Sequence, residues 1–320
     1  MIAKNDFLIP DWPEALQHVD IARVRFVLLF SSSSVVQPSD FLGIGRALQL
    51  AGRPLPGSSD KQEHRQWETL FRPPLSGDPV ARRKFQKPAP AFVLTMPLMQ
   101  QSLFNVGDKL VLEALFIGTG IPLIHSFLRS LIHLGNLGLV AGAGRFEVTQ
   151  AFSLDSDCKE HLVWRQNEAL ESLACSVQSL PWLFQKERIS HDLSINYLTP
   201  ARLMVDGKPL RRPSLMQVFP FMLRRVTSML YAHSDAEVCD DPAHLLEKVL
   251  ELEQTGSKLA WRDWRSLQGQ RGMSVGGFIG EMSLHGQALE DLYWVFAVAS
   301  LFGVGKGATY GAGRFSLSSG

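Results

Sequence analysis

Along residues 23–30, RVRFVLLF, the side chains Val24, Phe26, Leu28 and Phe30 alternate with the positions between them, the two-residue period of a strand with one buried face. The run SDFLGIGRALQL at 39–50 then reads as a short helix, with Ser39 or Asp40 as its N-cap. After a long proline-rich insertion, AFVLTM (91–96) and KLVLEALFIG (109–118) read as two further strands. In IPLIHSFLRSLIHLGN, Ile124, Phe127, Leu128 and Leu131 recur at helical spacing. LSINYLTPARLMVDG (193–207) opens a second series as a strand. A helix from Ser214 to about Tyr231 follows, its apolar stripe Val218, Met222, Val226 and Met229, with Pro220 expected to kink it or delay its start. KLAWRDWRSL (258–267) and GFIGEMSLHG (277–286) supply strands. QALEDLYWVFAVASLFG supplies a helix with Leu292, Val295, Phe296 and Ala299 at the same spacing as the first series.

Both series end alike. Residues 138–148, GLVAGAGRFEV, and 307–317, GATYGAGRFSL, share the pattern G-x-x-x-G-A-G-R-F-x-aliphatic at an offset of 307 − 138 = 169. From strand-ending glycine to repeat glycine is 20 residues in the first copy (118 to 138) and 21 in the second (286 to 307). Agreement of motif, order and spacing predicts an internal duplication. The order β-α-β-β-α-β therefore occurs twice, and the expected fold class is α+β: two tandem ferredoxin-like (RRM-like) units. Each would present a four-stranded antiparallel sheet with both helices on one face. The expected boundaries are 1–155 for the N-terminal unit, 156–190 for a connecting segment and 191–320 for the C-terminal unit with its glycine-rich loop.

Composition narrows the class. With 45% hydrophobic and 20% charged residues over 320 positions, disorder is excluded as the main state. Cys158, Cys175 and Cys239 are spaced 17 and 64 apart, neither a disulfide framework nor a zinc ligand set, so a reducing compartment is expected. The most apolar stretch, 111–144, is cut by His125, Arg129 and His133, and the N-terminus has no secretory apolar region. A cytoplasmic protein without a membrane partner is the expectation.

The net charge of +1 hides segregation. Residues 79–90 carry Arg82, Arg83, Lys84 and Lys87 with no acid, whereas 235–253 holds seven acids against Lys248 alone. Opposed blocks allow a polyanion-binding face on a protein that is not globally basic. The glycines lie between a helix and the strand after it, the reverse of a dinucleotide-binding turn, and Gly305-Lys306 is followed by Gly307 rather than completing a P-loop. What they can build is an anion-binding concavity of main-chain N–H groups. In the second loop Lys306 and Arg314 add charge with no nearby acid in the sequence, and Tyr310 offers a stacking face.

These segments resemble a known family. GVGKGATYGAGRFSL at 303–317 is similar to the glycine-rich loop of the repeat-associated RAMP superfamily. With GIGRAL (43–48), WETLFRPP (67–74), GLVAGAGRF (138–146), LTPARLMVDGKPL (198–210), FMLRRVTSML (221–230) and WRDWRSLQGQRGMSVGGFIGEM (261–282), the chain resembles the CRISPR precursor-RNA processing endoribonucleases. The resemblance implies metal-independent cleavage of a repeat RNA, its 2′-hydroxyl attacking the adjacent phosphate to leave a 2′,3′-cyclic phosphate and a 5′-hydroxyl, and mature guide RNA as product. It implies no cofactor and no metal site. Partners would be a CRISPR repeat RNA, with a stem-loop, and other subunits of a CRISPR effector complex, in antiviral defence.

Matched by position, the implied RNA-binding residues are Arg224 and Arg225 on the helix, Arg262, Arg265 and Arg271 in the hairpin, Gly305, Lys306, Gly307, Tyr310, Gly311, Gly313 and Arg314 in the second loop, and Arg145 in the first. Many members carry a catalytic histidine within or just after the first helix; here Arg46 stands in that stretch and no histidine falls between His18 and His64. His64 is the leading acid–base candidate, with His18 and His191 behind it. A histidine-free mechanism using lysine and arginine charge is the other route. A non-catalytic RNA-binding RAMP subunit of a surveillance complex is the alternative function.

Overall fold

The computed structural model describes residues 10–54, 61–77, 79, 87–95, 103–139, 142–185, 188–264 and 275–319. Its N-terminal elements are β1 (Asp20–Phe30), α1 (Pro38–Ala51), α2 (Lys61–Phe71), β2 (Phe92–Thr95), β3 (Lys109–Ile117), α3 (Ile124–Leu137), β4 (Phe146–Leu154) and β5 (Glu160–Arg165). The alternation in β1 has the consequence expected of it. Val24, Phe26, Leu28 and Phe30 are buried in one cluster with Phe41, Ile44 and Leu48 of α1 and Phe127, Leu131 and Leu134 of α3. Both helices thus cover one face of an antiparallel sheet of order β2-β3-β1-β4-β5. The cap of α1 differs from expectation: Gln37 is the N-cap, and Asp40 closes the turn from the third position by accepting the Gln37 N–H at 2.8 Å.

The second series folds as β6 (Asp192–Ala201), α4 (Leu215–Ser234), α5 (Pro242–Lys248), β7 (Glu253–Ser257), β8 (Ala260–Trp264), β9 (Val275–His285), α6 (Leu289–Phe302) and β10 (Phe315–Ser319). Its sheet runs β7-β9-β6-β10, with β8 also on β9, the same strand order as the N-terminal unit. The class is α+β with two ferredoxin-like units. Two local expectations are corrected. The strand expected at 258–267 is found as β8 over 260–264, and an unexpected strand, β7, precedes it, the two separated where the Lys258 carbonyl approaches Gly280 so closely that a Cβ there would lie 2.4 Å from the oxygen. Helix α4 starts after Ser214 as expected, so Pro220 does not delay its start, because burial of Val218, Phe219, Met222 and Val226 outweighs the one hydrogen bond that proline cannot donate.

The units share an apolar body. Ile21, Val93, Leu115 and Ile117, on the N-terminal sheet, are buried together with the core of the C-terminal unit. Helix α6 is buried on every side, from Leu292 through Tyr293, Trp294, Val295, Phe296, Ala297 and Val298 to Ala299. A helix apolar all round is an internal helix, so the single stripe expected for it describes only part of its contact surface. Among the described residues no helix is long and apolar enough to cross a membrane.

Candidate nucleic-acid interface

Helix α6 stops at Gly303, and the chain returns to β10 through residues 304–314. Main-chain bonds cinch this loop: Val304 N–H donates to the Gly313 carbonyl (3.0 Å), Gly313 N–H to Pro200 (3.0 Å) and Lys306 N–H to Arg202 (3.0 Å). Thr199, fully buried in β6, donates its hydroxyl to the Gly311 carbonyl (2.8 Å) and accepts the Arg314 N–H (2.8 Å). At Gly313, with φ of 60°, a Cβ would sit 1.8 Å from the Val304 oxygen, so only glycine closes this turn. The loop is mostly internal. Val304, Ala308, Thr309, Gly311, Ala312 and Gly313 are buried, while Lys306 and Gly307 reach solvent, with Gly305 half-buried beside them.

The turn Ala308–Tyr310 joins the two units. The Tyr310 ring lies against α1 where Gly45 leaves room, since a Cβ there would meet the ring at 2.4 Å. Gln49 Nε2 donates to the Tyr310 hydroxyl at 2.8 Å, and Phe92 of β2 stands edge-on at 6.0 Å. Burial raises the pKa of the phenol. The stacking face expected of Tyr310 is therefore taken up by α1 and β2, a correction the sequence could not anticipate.

Arg225 is corrected in the same sense. Expected on the polar side of α4, it points inward beneath the loop, where Nη2 donates to the Phe302 carbonyl (3.3 Å) and to Thr309 Oγ1 (3.2 Å). Burial pushes its pKa down to about 10. Its neighbour Arg224 is exposed, 4.9 Å from the Phe221 ring, and lines a groove with Pro220, Glu237 and Cys239.

Arg314 is half-buried in a cleft between the loop and the N-terminal sheet, lined also by Arg23, Thr95, Glu113 and Ser156. Burial lowers its pKa and Glu113 opposes the shift. The expectation that no acid lies near Arg314 is thus wrong in space: Glu113 reaches the cleft from β3, where it also pairs with Arg23 (3.1 Å) and Arg25 (3.0 Å). Arg145 is exposed at the end of the first loop, and Arg262 is exposed on β8. Arg265 and Arg271 lie outside the described residues.

The histidines are scattered. His64 is exposed on α2, its ring 6.3 Å from Trp67, whose Nε1 donates to the Gln49 carbonyl at 3.1 Å. It stands eight residues before Arg72, the cation whose charge reaches Tyr310, a rise of about 12 Å along a helix. His18 is exposed at the end of a short 3₁₀ turn before β1. His191 precedes β6, whose opposite end meets the glycine loop, a strand's length of about 30 Å away. The structure does not bring His18 or His191 to the loop.

One histidine the sequence reading passed over holds the units together. His233, 2% exposed at the end of α4, donates from Nε2 to the Ala89 carbonyl (2.8 Å), which fixes Nδ1 as acceptor for the Thr119 hydroxyl (3.0 Å). Burial lowers its pKa to about 4, helped by the Arg225 charge, so it is neutral. Thr199 carries a sequence signal, a lone polar residue in the apolar run LTPA, whereas His233, next to Ser234, carries none.

Residues 195–315 match the family model of the CRISPR-associated endoribonuclease Cas6, and residues 56–175 match a model described as an N-terminal domain. No curated protein matches the chain. Among solved structures, Thermus thermophilus Cas6 is 18% identical, with a TM-score of 0.51, covering 94% of this chain and 99% of that one. A Cas6 product complex is 19% identical, TM-score 0.52, over 93% and 99% of the two chains. A partial Cas6-RT-Cas1–Cas2 complex is 12% identical, TM-score 0.53, over 94% of this chain and 46% of that one. These likenesses establish the shared fold. In its C-terminal unit, residues 195–315, the chain is thus similar to the CRISPR-associated endoribonuclease Cas6 family, and over most of its length it shares the fold of Cas6 structures.

Proposed function

We propose that the chain grips a CRISPR repeat RNA across the seam between α1 and the glycine loop and cleaves it without a metal ion. The observation that carries this is the loop itself: its inner residues are clamped by Thr199 and Arg225, and it presents Lys306 between two left-handed glycines, Gly305 and Gly307, to solvent. A rigid corner with exposed main chain and one cation suits a phosphate. On α1 across the seam, Arg46 is exposed beside Gly45, which holds Tyr310.

The 2′-hydroxyl would lose its proton and attack the neighbouring phosphorus, and the 5′-oxygen would leave and take up a proton. The products are a 2′,3′-cyclic phosphate and a 5′-hydroxyl. The protein's part is in-line placement, proton exchange and positive charge on the phosphorane oxygens. His64, Arg46, Arg72 and Lys306 are the groups offered for this. Among the described residues no three His, Cys, Asp or Glu side chains are grouped to hold a metal ion. Three free cysteines suit a reducing compartment, the cytoplasm. Assembly with further Cas subunits is proposed by analogy with the Cas6-RT-Cas1–Cas2 complexes.

Repeat RNA incubated with the protein in EDTA tests the reading: cleavage with cyclic-phosphate ends is expected. A second reading, an RNA-binding subunit that does not cleave, is favoured by the absence of histidine from residues 19–63. Binding without any cyclic-phosphate product would select it. If His64 exchanges the proton, His64→Ala slows cleavage about a hundredfold. A rate near that of the unmodified enzyme shifts the role to Arg46, Arg72 and Lys306.

A further inference from the structure

Arg225 is half-buried with its Nε wholly enclosed, and among the described residues no acid pairs with it. Its guanidinium is enclosed at the base of the glycine loop, and its hydrogen bonds go to neutral oxygens, the Phe302 carbonyl and the Thr309 hydroxyl. Its buried Nε has no hydrogen-bond partner. The titratable group that feels its charge is no carboxylate but His233, two turns further along α4, and that imidazole is neutral. Burying an unpaired charge is strongly unfavourable, and an apolar side chain of similar length would fill the same space without the penalty. Packing therefore does not explain the residue.

Position does. Phe302 is the last residue of α6 and Thr309 lies in the turn that delivers Tyr310 to α1, so the single Nη2 of Arg225 bridges both sides of the Gly305–Gly307 corner. We propose that Arg225 is a positioning residue whose missing counter-charge is the RNA phosphate seated on that corner. It ties the two limbs of the loop together through Nη2, and places a positive charge behind the exposed Lys306–Gly307 corner that would seat the phosphate. The residue touches no RNA. Its charge acts through a low-dielectric layer, where it is screened far less than an exposed lysine.

This rests on the proposed RNA-gripping role of the loop, and the experiment separates the two. Thermal unfolding, repeat-RNA affinity and single-turnover cleavage are measured for the unmodified protein, Arg225→Met, Arg225→Lys and Thr309→Val. Arg225→Met is expected to unfold at an equal or higher temperature without RNA, yet to bind repeat RNA about tenfold more weakly. Arg225→Lys, which keeps the charge on a shorter side chain that does not reproduce the planar Nη2 bridge, should recover most of the affinity and less of the cleavage rate. Thr309→Val, which keeps the charge and loses one anchor, should lower the cleavage rate more than the affinity. Arg225→Met with unchanged affinity and rate overturns the inference and leaves the RNA reading intact. Equal losses of stability and binding in Arg225→Met and Arg225→Lys make the residue structural and also overturn it. An unmodified protein that ignores repeat RNA sinks both.

Discussion

The two glycine loops began as one motif and do different work. After α3 and α6, each 14 residues long, the chain turns at Gly138 and at Gly303. The next residue makes the same bond in both copies, Leu139 N–H to Gly144 (3.2 Å) and Val304 N–H to Gly313 (3.0 Å). Between those anchors the first copy has residues 140–143 and the second 305–312, four against eight. In space, Gly138 thus corresponds to Gly303, whereas the sequence motif pairs it with Gly307. The near-equal spacing of 20 and 21 arises because a six-residue turn before α3, against three residues before α6, offsets the four extra loop residues. The extra residues bring Lys306 to solvent and lengthen the path to Tyr310, which crosses to the other unit. A duplicated framework was kept, and the added segment carries what is particular to this loop.

The contrast breaks most sharply at equivalent glycines. Gly313→Ala should destabilise the protein by about 4 kcal/mol or prevent folding, since a left-handed residue is strained and its Cβ would strike the Val304 oxygen. Gly144→Ala has the same backbone sign with only ordinary contacts, 3.4 Å to Ser34 Oγ, and should cost about 1 kcal/mol. Urea unfolding of both checks this, and equal losses would show that the loops are packed alike.

Docking of the units comes next. Because burial lowers the His233 pKa from 6.5 to about 4, the folded state resists a proton that the unfolded chain accepts. Stability is therefore full above pH 6.5, falls by about 3 kcal/mol between pH 6.5 and 4, and levels off below. His233→Gln, able to donate to Ala89 and accept from Thr119, should flatten that part of the profile; an unaltered pH dependence refutes the assignment. Tyr310→Phe removes the bond from Gln49 and should lower stability by about 1 kcal/mol. Smallest is the charge test. Lys306→Ala should weaken RNA binding and reduce the slope of log affinity against log salt by about one, with Arg145→Ala in the shorter loop having less effect. Equal slopes for the two variants would make the loops equivalent toward RNA.

Local periodicity, a property of neighbours in sequence, determined most of the framework. The two-residue alternation of β1, the helical spacing in α3 and the repeated G-A-G-R-F ending led to the fold class and the duplication, and the motifs led to the family. Tertiary structure alone decided which way the charges and rings point. Periodicity cannot say what lies across from a face, so it missed that α6 is buried on every side, with Trp12 standing edge-on to Tyr293 at 6.4 Å. The same holds for Glu113, about 200 residues from Arg314 in sequence yet in its cleft. Arg224 and Arg225 look interchangeable in the chain; a helix turns successive residues by about 100°, and that rotation sends one to solvent and the other beneath the loop.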